Sequence, residues 1–123
     1  VSVNKAAPEK IAVSQVSEIK DASIAYSDFI GWKERLAPFQ ELMTQAWRTR
    51  GIGDFWSHML VAEGAVDVAV EPSLAIWDMA ALIPIITEAG GKVSSLSGGD
   101  SLVEKSMVTS NGLLHDQTIK LFN

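Results

Sequence analysis

Residues 75–91, "AIWDMAALIPIITEAGG", restrict the fold more than any other stretch. One carboxylate, Asp78, stands at the front of an otherwise apolar segment that predicts a helix from near Trp77 to Ala89, and Gly90 supplies the left-handed stop on which helices commonly end. Ahead of it "VDVAV" alternates with period two and breaks at Pro72; behind it "KVSSL" starts another strand. A helix bracketed by strands implies helices layered on a sheet. Pro84 lies inside the helix, where its missing donor typically costs ~3 kcal/mol, and this predicts a kink.

The same alternation runs along the rest of the chain. Ile11 to Ser14 and Ala22 to Ser27 read as strands and are candidates for neighbours. From about Ala37 to Trp47, the residues Leu36, Phe39, Leu42, Met43 and Ala46 recur at three- and four-residue spacing, which predicts an amphipathic helix with Pro38 in its first turn. "AWRTRGIGD" reads as a short strand entering a glycine turn. Asp54 can then cap a helix whose inner face carries Phe55, Met59, Leu60 and Ala62 and which ends at Gly64. "SGGDS" is a turn, "SMVTSN" a last buried strand, and Leu114 to Phe122 a closing helix that packs through Leu114, Ile119, Leu121 and Phe122. The class is α/β, a layered mixed sheet covered by helices, with residues 1–123 forming a single domain.

Composition narrows the function. Hydrophobic residues make up 47% of the chain and charged residues 20%, as in an ordinary globular protein with a packed core. A net charge of −5 without a basic run gives no electrostatic footprint for nucleic acid or for an anionic membrane, so a small anionic ligand needs a metal or a local donor cluster. The absence of cysteine excludes disulfides, thiolate metal sites and cysteine nucleophiles, and it fits a reducing compartment, with cytoplasm the default. No apolar run reaches membrane-spanning length, and "VSVNKAAPEK" has neither the features of a signal peptide nor an initiating Met, which predicts a processed or truncated piece of something longer.

The candidate chemistry sits at strand exits. Asp78 falls in the first turn of its helix, where the positive end of the dipole favours the carboxylate, and apolar Ile76, Trp77 and Met79 shield it. Such a group can cap its own helix, the commoner case on spacing alone, or offer hard oxygens to Mg²⁺. Glu71 ends the strand "VDVAV" and can share a crevice with Asp78 or remain a solvated loop acid. Asp54 follows "RGIG", either as a cap or as a third acid of the crevice. Gly51 and Gly53 permit close backbone approach, although G-x-G is a weak signal alone. Arg50 can pair with a phosphate, with Asp54 or with Glu71. His58 and His115 read as packing or surface residues, His115 as exposed, and the four tryptophans as core or rim.

With these residues in place, "WDMAALIPIITEAGG" resembles the C-terminal signature of the inositol monophosphatase family of Mg²⁺-dependent sugar and polyol phosphatases. "DVAVEPSLAIWD", "RGIGD" and "VTSNGLLHDQTIK" occur in family order, so the resemblance covers most of the chain, from about Lys10 to the end. It implies the C-terminal half of the family's αβαβα sugar phosphatase fold. It further implies that Asp78 ligates a catalytic Mg²⁺ and lies beside the substrate hydroxyls. Glu71 would read the polyol or amine end of the substrate, and Gly53, Asp54 and Phe55 would line the leaving-group pocket. Arg50 would buttress Asp54 and Glu71 or touch the phosphate, and Ser23 would correspond to a serine near the substrate pocket. Asp54, where inositol-specific members carry a small residue or Thr, looks more like the histidinol-phosphatase branch, since an acid suits that substrate's ammonium.

The sequence departs from the family in lacking the upstream glutamate and the Asp-Pro-Ile-Asp-Gly-Thr motif that supply the other metal ligands. One metal carboxylate remains, so the chain looks like the C-terminal half of an enzyme about twice its length, and alone it is expected to be inactive. The implied reaction is hydrolysis of a small phosphorylated metabolite by metal-activated water without a covalent intermediate. A non-catalytic half-domain acting as an assembly module is the alternative. In either case a homo-oligomer or association with the missing N-terminal half is expected.

Overall fold

The computed structural model of the chain describes residues 11–52 and 55–123. Five strands form one mixed sheet: β1 (Ser23–Tyr26), β2 (Arg48–Gly51), β3 (Val68–Glu71), β4 (Lys92–Ser94) and β5 (Met107–Ser110), in the order β2-β1-β3-β5-β4. β1 pairs in parallel with β2 and β3, while β5 runs antiparallel to both β3 and β4. The helices are α1 (Leu36–Gln45), α2 (Trp56–Glu63), α3 (Ile76–Glu88), α4 (Ser101–Glu104) and α5 (His115–Phe122).

Strand alternation sorts the side chains into two layers. Ile24, Val68, Val70 and Val108 join Phe39 and Leu42 of α1 and Phe122 of α5 in one cluster. On the opposite face, Ala25 and Ala69 meet Val61 and Ala62 of α2 and Ile86 of α3, with Met79, Leu82 and Met107 forming a smaller cluster beside them. The sheet is thus covered on both faces, the arrangement expected from the alternation of elements.

α3 runs through Pro84 without interruption. Both Pro84 and Ala80, the residue whose carbonyl loses its partner, are exposed, so water can satisfy that carbonyl. The paired glycines that follow have separate tasks. Gly90 adopts φ +96°, which a Cβ disfavours. Gly91 needs space instead: a Cβ there would lie 2.4 Å from the Ser110 carbonyl oxygen and 2.8 Å from Ile86 Cγ2.

Three expectations are corrected. Residues 11–17 form no strand; the Val13 N–H donates to the Ala89 carbonyl at 3.1 Å, and Ile11 and Val13 pack beside the α2–α3 cluster, so their apolar alternation serves helix contacts and not a ladder. The buried face of α2 is Ser57, His58, Val61 and Ala62, whereas Phe55 is 47% exposed and Met59 and Leu60 are half-buried. His115 is 5% exposed, held between the Ser94 and Ser110 hydroxyls at 2.8 Å each, because α5 turns His115, Thr118 and Phe122 inward. Within "SGGDS", Asp100 accepts from the Leu102 N–H at 2.9 Å and starts the short helix α4.

Candidate active site

Because β1, β2 and β3 run parallel, Tyr26, Gly51 and Glu71 end at one edge of the sheet. α2 follows β2 and α3 follows β3, so both helices begin near that edge, the usual place for ligands in α/β sheets. Between them lies a cleft of about 360 Å³ lined by Phe55, Met59, Asp78, Ala81, Leu82 and Ile85. Asp78 is half-buried and is the one charged group among these residues. Ala75 is the N-cap of α3 and the helix has no side-chain cap bond, so the geometry does not give Asp78 the capping role.

Glu71 is not a solvated loop acid. It is 2% exposed at the last position of β3, and its Oε2 accepts from the Ser27 hydroxyl at 2.6 Å. His58 of α2 is fully buried beside it, with Nε2 3.9 Å from Glu71 Oε1. The other ring nitrogen, Nδ1, lies 2.7 Å from the Thr109 hydroxyl on β5. Burial lowers the His58 pKa from 6.5 to about 4, so the ring is neutral near pH 7.

Of the residues singled out from the sequence, Asp78 and Phe55 share the cleft. Glu71 lies at the strand end, buried, with one oxygen accepting from Ser27. Arg50 is exposed on edge strand β2, and among the described residues it forms no ion pair with Glu71. Gly53 and Asp54 lie outside the described residues. Ser23 is displaced from the expectation: it opens β1 at the opposite end of the sheet, where its hydroxyl accepts from Arg48 Nε at 2.9 Å and its N–H donates to Asp67 Oδ2 at 2.7 Å. Local spacing alone gives His58, Ser27 and Thr109 no part in this site. A usable signal existed for the first, since His58, Val61 and Ala62 recur at the i, i+3, i+4 spacing of one helical face.

Asp78 has the chemistry of a Mg²⁺ ligand: a hard oxygen donor with a direction set by the helix behind it. Among the described residues, however, no group of three or more His, Cys, Asp or Glu side chains is arranged to hold a metal ion. Asp78 is the one carboxylate lining the cleft, and a metal ion held there would need further ligands.

The whole chain, residues 1–123, matches the family model described as "Inositol monophosphatase family". A histidinol-phosphatase of Streptomyces coelicolor is 48% identical over 93% of the chain, which covers 44% of that relative. One from Mycobacterium tuberculosis is 44% identical over 99% of the chain and 48% of its own length. Among solved structures, an IMPase of Thermotoga maritima superposes with a TM-score of 0.82 at 28% identity, covering 94% of this chain and 45% of that one. The chain spans less than half the length of these relatives. A cleft at the parallel strand ends, an uncapping Asp78 at the front of α3, and a family match from the first residue to the last agree, and the chain belongs to the inositol monophosphatase family.

Proposed function

We propose that this chain is the C-terminal part of a Mg²⁺-dependent phosphate monoester hydrolase, and that its substrate is histidinol phosphate. Enzymes of the family are generally metal-dependent. The observation that carries the reading is Asp78, a half-buried carboxylate at a helix front that faces a cleft without capping its own helix. Its oxygens would hold one side of the Mg²⁺, with the remaining ligands supplied from outside the described residues. A divalent ion bound there supplies charge neutralisation for the phosphate and a lowered pKa for bound water. Phe55, with Gly53 and Asp54, would line the leaving-group pocket; Glu71 would read the substrate's amine, and Arg50 would steady these acids or touch the phosphate. The identity to histidinol-phosphatases supports that choice of substrate over an inositol or polyol phosphate.

The chain on its own should be inactive and should act by joining an N-terminal half that carries the missing ligands, or a second copy. Trp77 at 77% exposure and Trp56 at 56%, near the starts of α3 and α2, support such an association. The expected setting is the cytoplasm; no helix among the described residues is long and apolar enough to cross a membrane.

The test is phosphate release from histidinol phosphate with Mg²⁺. The 123-residue chain should give no turnover above a blank without enzyme, and addition of an N-terminal half bearing the missing acids should restore it. In the full-length protein carrying this chain, Asp78→Asn should lower turnover about a hundredfold or more, above the range usual for outer-shell changes. Unchanged turnover and unchanged Mg²⁺ affinity in that variant would overturn the assignment.

A further inference from the structure

Buried behind the cleft is a histidine whose second nitrogen has an unusual setting. His58 has no exposed surface, and its Nε2 makes no hydrogen bond among the described residues. That nitrogen faces Glu71 Oε1 at 3.9 Å, while the opposite oxygen, Oε2, already accepts from Ser27. The contact of Nδ1 with Thr109 at 2.7 Å allows two proton arrangements. If Nδ1 carried the hydrogen and donated it to Thr109, Nε2 would present a lone pair to a buried carboxylate, setting two electron-rich atoms against each other where no water screens them. If the Thr109 hydroxyl donates to Nδ1, the ring hydrogen sits on Nε2 and points at Glu71. The second arrangement satisfies all three side chains in sign.

We propose that His58 is a positioning residue for Glu71: held by Thr109 in the Nε2–H form, it presents an N–H to one carboxylate oxygen while Ser27 binds the other, and so orients Glu71 toward the cationic or hydroxyl end of the substrate. The neutral state of the ring suits this part, since a buried imidazolium would cancel the charge with which Glu71 attracts an ammonium. The specificity carboxylate is then clamped from two sides by groups on β1's exit and on α2, and it loses little freedom when substrate arrives. The role of Glu71 rests on the function proposed above, but the tautomer of His58 does not.

Nitrogen-15 NMR of the histidine rings in the full-length protein tests the tautomer first, whatever the activity. An Nε2–H signal for His58 that shifts in Glu71→Gln is expected, and an Nδ1–H signal, or no response to that variant, overturns the proposal. Kinetics on histidinol phosphate then test the role. His58→Leu should raise KM several-fold, since a neutral N–H 3.9 Å from a carboxylate oxygen acts through its dipole and not through a hydrogen bond, with kcat little changed. His58→Gln, whose amide nitrogen reaches where Nε2 lies, should recover most of that loss. Equal effects of Leu and Gln, or a fall in kcat with KM unchanged, would reduce His58 to packing. Should His58→Leu fail to fold, the NMR result together with His58→Gln decides. If the wild-type protein hydrolyses no histidinol phosphate while the NMR result holds, the substrate assignment fails and the clamp stands.

Discussion

Strand β3 is bracketed by two buried acids whose surroundings differ. Asp67, just before the strand, is 6% exposed and closely satisfied: Oδ2 accepts the Ser23 N–H at 2.7 Å and Oδ1 the Ser14 hydroxyl at 2.5 Å. Asn111 extends this network, donating to Ser14 at 3.1 Å and to the Val16 carbonyl at 2.6 Å. Each end of the sheet also has its histidine. His115, near the Asp67 end, is bonded through both ring nitrogens; His58, near the Glu71 end, is bonded through one. A network whose members are saturated ties segments together. The first end is built for stability, and the function proposed above assigns the second to recognition.

Removing Asp67 is the strongest way to break that contrast. Asp67→Ala in the full-length protein should lower unfolding stability by about 3 kcal/mol, because the Ser23 N–H and the Ser14 hydroxyl lose their acceptor in a buried place. Urea denaturation reads it, and a loss within ~0.5 kcal/mol would erase the distinction.

Acid titration comes next. Burial lowers the pKa of both histidines from 6.5 to about 4, with the Lys92 charge adding to the effect at His115. The unfolded chain therefore takes up protons below pH 6.5 that the folded protein refuses until near pH 4. Stability from the neutral rings is complete above pH 6.5 and drains away between 6.5 and 4, by about 3 kcal/mol for each ring. Replacing either histidine by Gln should flatten that limb. At pH 8 the two should separate: His115→Gln leaves serine hydroxyls short of partners and should cost about 1–2 kcal/mol, and His58→Gln less than about 1. Denaturant midpoints measured at pH 8 and pH 5 would show whether they do.

A steric change at the Asp67 side gives a third comparison. Gly91→Ala should destabilise by about 1–3 kcal/mol, because its new methyl meets backbone at the Ser110 carbonyl and not a flexible side chain. A thermal melt checks this. The smallest stability effect belongs to Glu71→Gln, under about 1 kcal/mol, since the amide oxygen can still accept from Ser27. Its signature should be kinetic, a higher KM for histidinol phosphate. A destabilisation as large as that of Asp67→Ala would mean that the two ends do the same job.

Much of the layered fold was legible because its elements obey simple periods. "VDVAV" and the Leu36–Ala46 spacing appear as β3 and α1, and Gly90 ends α3 as its composition predicts. The failures share a cause. An acid in an alternating strand reads as a solvent face, yet β3 is covered on both sides, so neither Asp67 nor Glu71 is solvated. His115 read as exposed because a polar helix start resembles a surface, whereas two serines from separate strands receive it. Such pairings depend on residues far apart in the chain, such as His58 and Thr109, and a local period carries no trace of them. Asp78 stands out in the sequence as the lone carboxylate at an apolar helix front, and the structure adds that it does not cap its helix.

The tight seat of Gly91 reaches further than its own neighbourhood. α3 is 13 residues long, about 20 Å of rod, with Asp78 at one end and this seat at the other. A swing of about 5° at the glycine end would carry the far tip through ~2 Å, and reactive geometries tolerate less than that. A bulky group lodged against Ser110 would thus act as a wedge under a lever, throwing the acid off its target without touching it. On the function proposed above, the two halves of "WDMAALIPIITEAGG", the acid and the glycines, would be the working tip and the fulcrum of one mechanical part.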